Sequence, residues 1–295
     1  MAGNFWNSSQ YQQWILDKQE VILYRQADLT VGLTHEDIDK MHIFMANFIR
    51  SLGKQLNVHQ QVIATATVFF KRFYLRNSVG SVDPRLMAAA SVLLASKVEE
   101  CGVIANSKLN AAISSIVKTK PYSDIFKPEK PFSTALFVEC EFFLLEMMDC
   151  CLIVFHPYRP LMQYITDMGQ EDRLPLAWRI VNDSYRCAVS FHYAPYIIAL
   201  AALHIACVVH GQNCQQWFSE LAVDFQQILE VTRDIMDMYR TWESCSMPQD
   251  IPRILQKLKE RKAAAKASSS NGGSNSATTL PAPASLEDCI RLVAD

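Results

Sequence analysis

The stretch Pro84–Val98, PRLMAAASVLLASKV, falls without a gap on Pro195–Val209, PYIIALAALHIACVV, when the chain is shifted by 111 residues. Both stretches begin with proline, which starts a helix readily, and both are rich in alanine, which lets neighbouring helices approach closely. Alanines coincide at three places: Ala88 with Ala199, Ala90 with Ala201, and Ala95 with Ala206. The alternative is a coincidence between two alanine-rich helices. We interpret the match as one helical domain present twice, each copy built around a central helix.

Helical spacing also governs the segments around these two stretches. One face of a single predicted helix carries a regular series of apolar residues: Phe132, Leu136, Cys140, Phe143, Met147 and Cys151. Most prolines fall between helical patterns, where they can start a helix but cannot continue one. No Asn-Gly hairpin lies between alternating apolar runs. The predicted fold class is all-α, with one domain at residues 34–152 and the second at residues 157–243.

Two flanking segments complete the predicted organisation. Residues 1–33 contain an N-terminal helix at residues 8–27, with its apolar side formed by Tyr11, Trp14, Ile15 and Ile22. Residues 262–295 are low in apolar content and rich in serine, asparagine and glycine, which predicts a flexible, disordered low-complexity tail. Within that tail, Leu286–Val293 is a candidate short binding motif.

The composition excludes several classes of protein. Half of the 295 residues are hydrophobic and the formal net charge is −2, so a global basic coat for nucleic acid is absent. No apolar run reaches the roughly 18–20 residues of a membrane span, and the N-terminus has no secretory pattern. We therefore expect a protein of the cytosol or nucleus that binds neither a membrane nor, directly, nucleic acid.

Catalytic and metal motifs are also missing from the sequence. It contains no glycine-rich phosphate loop, no GxSxG, no HExxH and no kinase motif, so we expect neither an enzyme nor a small-molecule substrate. The nine cysteines include no CxxC pair. One group of soft ligands has helical spacing: His204, Cys207, His210 and Cys214. Because structural zinc prefers closely paired ligands, we expect this group to be packed side chains, and we expect no metal and no cofactor.

Two segments combine charged and apolar residues in a way that suggests a binding surface. LLASKVEE, residues 93–100, is an apolar helix that ends abruptly in charge, although a solvated helix end would look the same. In ECEFFLLEMMDCC, Glu139 lies at the margin of the predicted core stripe and Phe142 lies outside it. An aromatic residue outside the core beside a charge suggests contact with another molecule.

These motifs carry a family resemblance. VIATATVFFKRFY, the Asp83-Pro84 break, LLASKVEE and ECEFFLLEMMDC resemble, in order and spacing, the first box of the cyclin family. The resemblance implies two tandem five-helix cyclin boxes and a non-catalytic chain that binds and activates a cyclin-dependent kinase. It places Lys97 and Glu139 as the residues that hold the kinase C-helix. Their neighbours Val98, Glu100 and Phe142 complete the implied kinase-binding set.

The resemblance extends nearly continuously from MAGNFW to about residue 245 with the transcriptional branch of the family. It implies a nuclear protein whose partners are cyclin-dependent kinase eight, the Mediator kinase, and other subunits of the Mediator kinase module. It also implies a groove between the boxes for a second partner, formed by Trp6, Trp178, Asn182, Asp183 and Tyr239. The alternative for Trp178 and Tyr239 is simple packing between helices.

The sequence departs from cell-cycle cyclins at their substrate-docking patch. Those proteins pair an arginine of an MRAIL-type motif with an aspartate on the next helix. Here His42 and Lys71 stand at those two positions, so we expect no ion pair and no substrate docking of that kind. Tandem cyclin-like repeats also occur in DNA-binding general transcription factors of the TFIIB type. Those factors need basic residues gathered on one face, and this chain is especially poor in lysine in its second repeat.

Overall fold

A computed structural model describes residues 3–126, 131–211 and 214–269, with side chains up to residue 260. These ranges are helical and contain no β-strand, which confirms the predicted all-α class. In chain order the α-helices are α1 (Ser9–Trp14), α2 (Lys18–Tyr24), α3 (Gln26–Leu29), α4 (His35–Leu56), α5 (Gln60–Arg76), α6 (Pro84–Val98), α7 (Asn106–Val117), α8 (Thr134–Met147), α9 (Tyr158–Met168), α10 (Leu174–Ser184), α11 (Val189–His192), α12 (Pro195–Val209), α13 (Gln215–Glu220), α14 (Phe225–Ser244) and α15 (Met247–Ser269).

The helices form two five-helix boxes, as expected from the repeat and the family resemblance. Helices α4–α8 surround α6 in the first box, and α9, α10, α12, α13 and α14 make up the second box around α12. Both central helices begin at their proline and end at valine, and nearly all of their apolar side chains before the last turn are buried. Asp83 caps α6 by accepting from the Arg85 N–H at 2.8 Å. Each central helix is thus the core of its own box.

The predicted N-terminal helix at residues 8–27 is divided into α1, α2 and α3. The break falls at Leu16, whose N–H donates to the carbonyl of Phe191 at 2.7 Å. The Leu16 carbonyl lies 2.9 Å from Nδ1 of His192. Because the second box binds both backbone groups of Leu16, they cannot join a continuous helix. Trp14 is buried, with the guanidinium groups of Arg72 and Arg76 4.7 and 4.5 Å from its ring.

Helix α15 packs back onto the first box, a feature that the sequence interpretation did not include. Its residues Ile251, Ile254 and Leu258 join the core of that box. Arg253 donates to Asp37 at 2.6 Å, and Lys257 donates to the Gly32 carbonyl at 2.8 Å. The helix continues to Ser269, past the predicted start of the tail at residue 262, because the alanine-rich segment there favours helix. The remainder of the predicted tail, with Leu286–Val293, lies outside the described residues.

Two basic side chains donate hydrogen bonds between the boxes, where apolar residues of α4 and α5 also join the core of the second box. The buried Lys71 ammonium on α5 donates to the carbonyls of Tyr185 and Cys187 in the second box. In the opposite direction, Arg186 of the second box donates to the side-chain oxygen of Asn47 on α4 at 3.0 Å. Burial lowers the pKa of Lys71 to about 8. Burial, together with the nearby Lys71 charge, also holds the pKa of His42 well below its usual range. Where cell-cycle cyclins have an ion pair within one box, this chain has a cation that bridges to the other.

Candidate functional site

The end of α6 presents Lys97 at the surface, next to α8. Its ammonium donates to both carboxylate oxygens of Glu141, at 2.6 and 2.8 Å. The Lys97 side chain is 44% exposed and that of Glu141 only 14%, so the lysine remains accessible while the glutamate holds it in place. The structure therefore supplies a fixed donor at the position predicted for kinase binding. Its acidic partner is Glu141, which the sequence interpretation did not name.

Glu139, the carboxylate named from the sequence, is half-buried on another side of α8. Phe137, Cys140, Phe143 and Leu144 form the buried stripe of that helix. At 100° per residue, Glu139 and Glu141 lie on opposite margins of the stripe, each roughly 90–110° from its centre. A position at the margin of the core stripe, which singles out Glu139 in the sequence, is therefore shared by Glu141. Only the packing of α6 beside α8 shows which margin faces Lys97.

Next to Lys97 and Glu141 in sequence are apolar side chains that are wholly or partly exposed. Phe142 is 67% exposed and Val138, one turn before it, is 43% exposed, while Val98 is half-buried. These residues can exclude water from the Lys97–Glu141 pair once a partner covers them. Such desolvation strengthens charge-assisted contacts.

Glu100, which is exposed, occupies a strained position two residues after the end of α6. Its φ is +52°, a left-handed conformation that normally favours glycine. The Cys101 N–H donates to the Ser96 carbonyl at 2.9 Å and the Glu100 N–H to the Lys97 carbonyl at 3.2 Å. This is a Schellman cap, and it fixes the direction in which the chain leaves the helix. The neighbouring carboxylate of Glu99 turns inward instead.

Four of the five residues predicted for the second-partner groove lie on α10 and α14. The Trp178 ring stacks on Tyr158 with the centroids 4.5 Å apart, and the Tyr158 hydroxyl donates to Asn182 at 2.8 Å. The Tyr239 hydroxyl donates to Asp183 at 2.9 Å. Burial, and next the Asp183 charge, raise the pKa of Tyr239 above its usual range. All four side chains are half-buried, so they have both packing contacts and accessible surface.

Trp6, the fifth predicted groove residue, lies in a separate aromatic cluster. Its ring is 5.0 Å from that of Tyr11 and 6.1 Å from that of Tyr196. It is 50% exposed and lines a cavity of about 440 Å³, which Tyr158 also lines. Tyr158 therefore connects the Trp6 cavity to the α10 surface. The sequence did not single out this tyrosine.

The histidine and cysteine group in and after α12 is engaged in contacts with other protein side chains. The Arg173 guanidinium donates to Cys207 at 3.0 Å and to Cys214 at 2.8 Å. His204 packs edge-on against the rings of Phe218 and Phe225. A guanidinium between the two thiols occupies the space that a cation would need. Over residues 3–126, 131–211 and 214–260, no cluster of three or more metal-ligating side chains is formed.

The described helices include none with the length and hydropathy needed to cross a bilayer.

Comparisons with known proteins agree with this architecture. The family model for the cyclin N-terminal domain matches residues 13–153, and that for the cyclin C-terminal domain matches residues 156–247. Solved structures with similar folds include a chain of the CAK complex of Chaetomium thermophilum bound to ATP-gamma-S. It has a TM-score of 0.65 and 21% identity, covering 93% of this chain and 97% of that one. A chain of the yeast RNA Pol II CTD kinase complex CTDK-1 has a TM-score of 0.62 and 17% identity, covering 96% and 89%.

Curated relatives are closer in sequence. Cyclin-C of Rattus norvegicus is 54% identical over 263 residues, covering 89% of this chain and 92% of the relative. Cyclin-C of Drosophila melanogaster is 52% identical over 264 residues, covering 89% and 98%. Cyclin-C1-1 of Oryza sativa subsp. japonica is 38% identical over 262 residues, covering 88% and 98%. The chain belongs to the cyclin family, whose members are non-catalytic regulatory subunits of protein kinases, and within that family it groups with the Cyclin-C proteins.

Proposed function

We propose that this chain binds and activates the cyclin-dependent kinase of the Mediator complex, cyclin-dependent kinase eight, and thereby regulates transcription by RNA polymerase II. The observation that carries the proposal is the Lys97–Glu141 pair, in which an accessible lysine is hydrogen-bonded to the residue that precedes the exposed Phe142. The kinship with Cyclin-C proteins and the nearly continuous match to the Mediator-associated branch of the family support the choice of kinase.

The mechanism follows from what an inactive kinase lacks. Its C-helix is displaced outward, so the C-helix glutamate cannot pair with the lysine that orients the ATP phosphates. A partner that binds only the inward C-helix shifts the equilibrium toward the active state by its differential affinity. Lys97 has donors for backbone carbonyls at one end of that helix, and Val98 and Phe142 offer apolar contact along it. Glu100 and Glu139 border the same surface as further candidate contacts.

The groove residues fit a second protein partner. One face of the second box presents aromatic and hydrogen-bonding groups from Trp178, Asn182, Asp183 and Tyr239. The cavity that Trp6 lines adjoins this face at Tyr158. The resemblance to Mediator-associated cyclins suggests that another subunit of the kinase module binds here. This assignment places the protein in the nucleus.

The test of the kinase-binding surface separates the two candidate carboxylates. Lys97→Ala and Glu141→Ala should each weaken binding of the recombinant Mediator kinase by about 2–5 kcal/mol, because each leaves a charge unpaired in a desolvated interface. Glu139→Ala, on the other margin of α8, should have the smaller effect. Isothermal titration calorimetry measures all three affinities.

Val208→Ala, at the equivalent end of α12, provides a matched control that should bind as the wild type does. Wild-type affinity of both Lys97→Ala and Glu141→Ala would rule out this surface as the kinase-binding site. A loss confined to Glu139→Ala would instead move the acidic contact to that residue.

A further inference from the structure

A chain of hydrogen bonds begins at Glu99, which lies between Val98 and Glu100 of the proposed kinase-binding set. Its carboxylate accepts from the Thr65 hydroxyl at 2.5 Å and from the Gln61 amide at 2.6 Å, both on α5. Thr65 Oγ1 also lies 2.7 Å from Nε2 of His156, in the linker between the boxes. The side chains of His156 and Glu99 are only 6% and 13% exposed. The end of α6 is thus tied to the linker by buried polar groups.

The hydrogen bonds have a definite direction. Burial alone would raise the pKa of Glu99, but the nearby His156 ring and the hydrogen bonds from Thr65 and Gln61 more than offset it and hold the pKa below its usual value. Because Glu99 is therefore a carboxylate, the single Thr65 proton points to it. Thr65 Oγ1 must then accept from His156 Nε2–H. One proton order satisfies every group along this path.

The chain continues into the second box. Nδ1 of His156 lies 2.5 Å from the hydroxyl of Tyr185, the residue that caps α10. The Tyr185 ring is 6.3 Å from that of Tyr158, whose hydroxyl donates to Asn182. A path of hydrogen bonds, with one aromatic contact between Tyr185 and Tyr158, therefore runs from the end of α6, through the linker, to the groove face of α10. A buried network of this kind is costly to leave partly satisfied, so its members tend to shift together.

We propose that this network couples the two binding surfaces, so that occupancy of the kinase-binding end of α6 changes the conformation and affinity of the α10 groove, and the reverse. The proposal rests on the kinase-binding function proposed above and adds its regulation by a second partner. Thr65, His156 and Tyr185 are positioning residues that act through Glu99, and His156 also lines the cavity next to Trp6. Coupling between two sites is reciprocal, so a change at the groove end must be measurable as a change in kinase affinity.

The test removes one hydroxyl in the second box, far along the chain from Lys97. Tyr185→Phe should weaken binding of the recombinant Mediator kinase about two- to tenfold, the effect of one net hydrogen bond. Tyr193→Phe is the matched control, because it removes a hydroxyl that donates to Glu230 at 2.9 Å in the same box but outside the network. Thermal unfolding of both variants shows that the boxes remain folded.

Amide hydrogen exchange distinguishes coupling from a purely structural role of the network, because a purely structural role would not make exchange in α10 depend on the kinase. Addition of the kinase to the wild-type chain should slow amide exchange in α10 peptides, and Thr65→Val should abolish that effect. Unchanged α10 exchange, or equal kinase affinities for Tyr185→Phe and Tyr193→Phe, would overturn the coupling while leaving the proposed kinase binding intact. Failure of the wild-type chain to bind the kinase would overturn both proposals.

Discussion

The ends of α6 and α12 are equivalent in the repeat but have different chemistry. The first ends in Lys97 and Val98, with the lysine paired to Glu141. The second, 111 residues later, ends in Val208 and Val209, which are 63% and 66% exposed and uncharged. The two helices share their length, their initial proline and their place at the centre of a box.

The C-terminal caps of α6 and α12 also share a backbone geometry but differ in residue type. In both, the residue at the left-handed position donates its N–H to a carbonyl of the last turn. At α12 that residue is Gly211, with φ +67°, and at α6 it is Glu100, with φ +52°. Glycine adopts this conformation without strain, whereas glutamate does not. The duplication therefore preserved the scaffold and its cap, while the side chains suited to partner binding are found at one end only.

The prediction with the largest expected effect compares α5 and α10, the helices that precede α6 and α12 in the chain. Lys71 on α5 stands where the repeat places Asn182 on α10, and only the lysine is a buried cation. Its pKa of about 8 lies below the value near 10.5 in the unfolded chain. Between these pH values the unfolded state holds a proton that the folded state has lost, so stability rises with pH. The rise should be about 3 kcal/mol and absent in Lys71→Met.

Urea unfolding of both proteins from pH 7.5 to 10.5, a range set by those two pKa values, measures this difference. Comparing how the free energy of unfolding changes with pH in the two proteins removes the contribution of the titrating groups that both share. Parallel curves for wild type and Lys71→Met would show that the pKa of Lys71 is not lowered in the folded protein.

The next prediction tests whether the two central helices are equally well packed. Ala90 and its repeat partner Ala201 are both fully buried. Ala90→Leu and Ala201→Leu should each lower the free energy of unfolding by about 1–3 kcal/mol, because neither core has room for the added methyl groups. Chemical denaturation measures both. A large loss in one box with none in the other would mean that the boxes differ in core packing as well as in surface.

The smallest effect concerns the two caps. Glu100→Gly should stabilise the protein by about 0.5–1 kcal/mol by relieving the left-handed strain, and Gly211→Ala should destabilise it by a similar amount. Thermal unfolding measures both changes. If Glu100→Gly destabilised the protein, the side chain of Glu100 would contribute more to the fold than its backbone strain costs.

The sequence allowed some features to be predicted and not others, and the division follows the range of the forces involved. The bounds of α6 and α12 follow from local signals, since proline at the first turn and the apolar run specify a helix wherever it packs. The N-terminal helix was predicted as continuous because nothing local shows that Leu16 bonds to the second box. Helix α15 was missed because its apolar residues match no repeat.

The candidate site divides in the same way. The residue types and spacing in LLASKVEE marked the end of α6 as unusual, and the family resemblance placed Lys97 there. The spacing in ECEF could not distinguish Glu139 from Glu141, because two residues 200° apart on a helix flank the core stripe equally well. The network through Thr65, His156 and Tyr185 joins residues far apart in the chain, and no local pattern reveals it.

By itself, then, the sequence determined that the chain is all-helical and built twice on one plan, because periodicity and repetition are properties of the chain alone. Its motifs separately carried the resemblance to the cyclins. The tertiary structure decided which glutamate holds Lys97, how Lys71 and Arg186 join the boxes, and which buried polar groups lie between the end of α6 and the end of α10. Those choices depend on which helix faces lie against each other. That arrangement is set by close packing of the two cores rather than by any single segment.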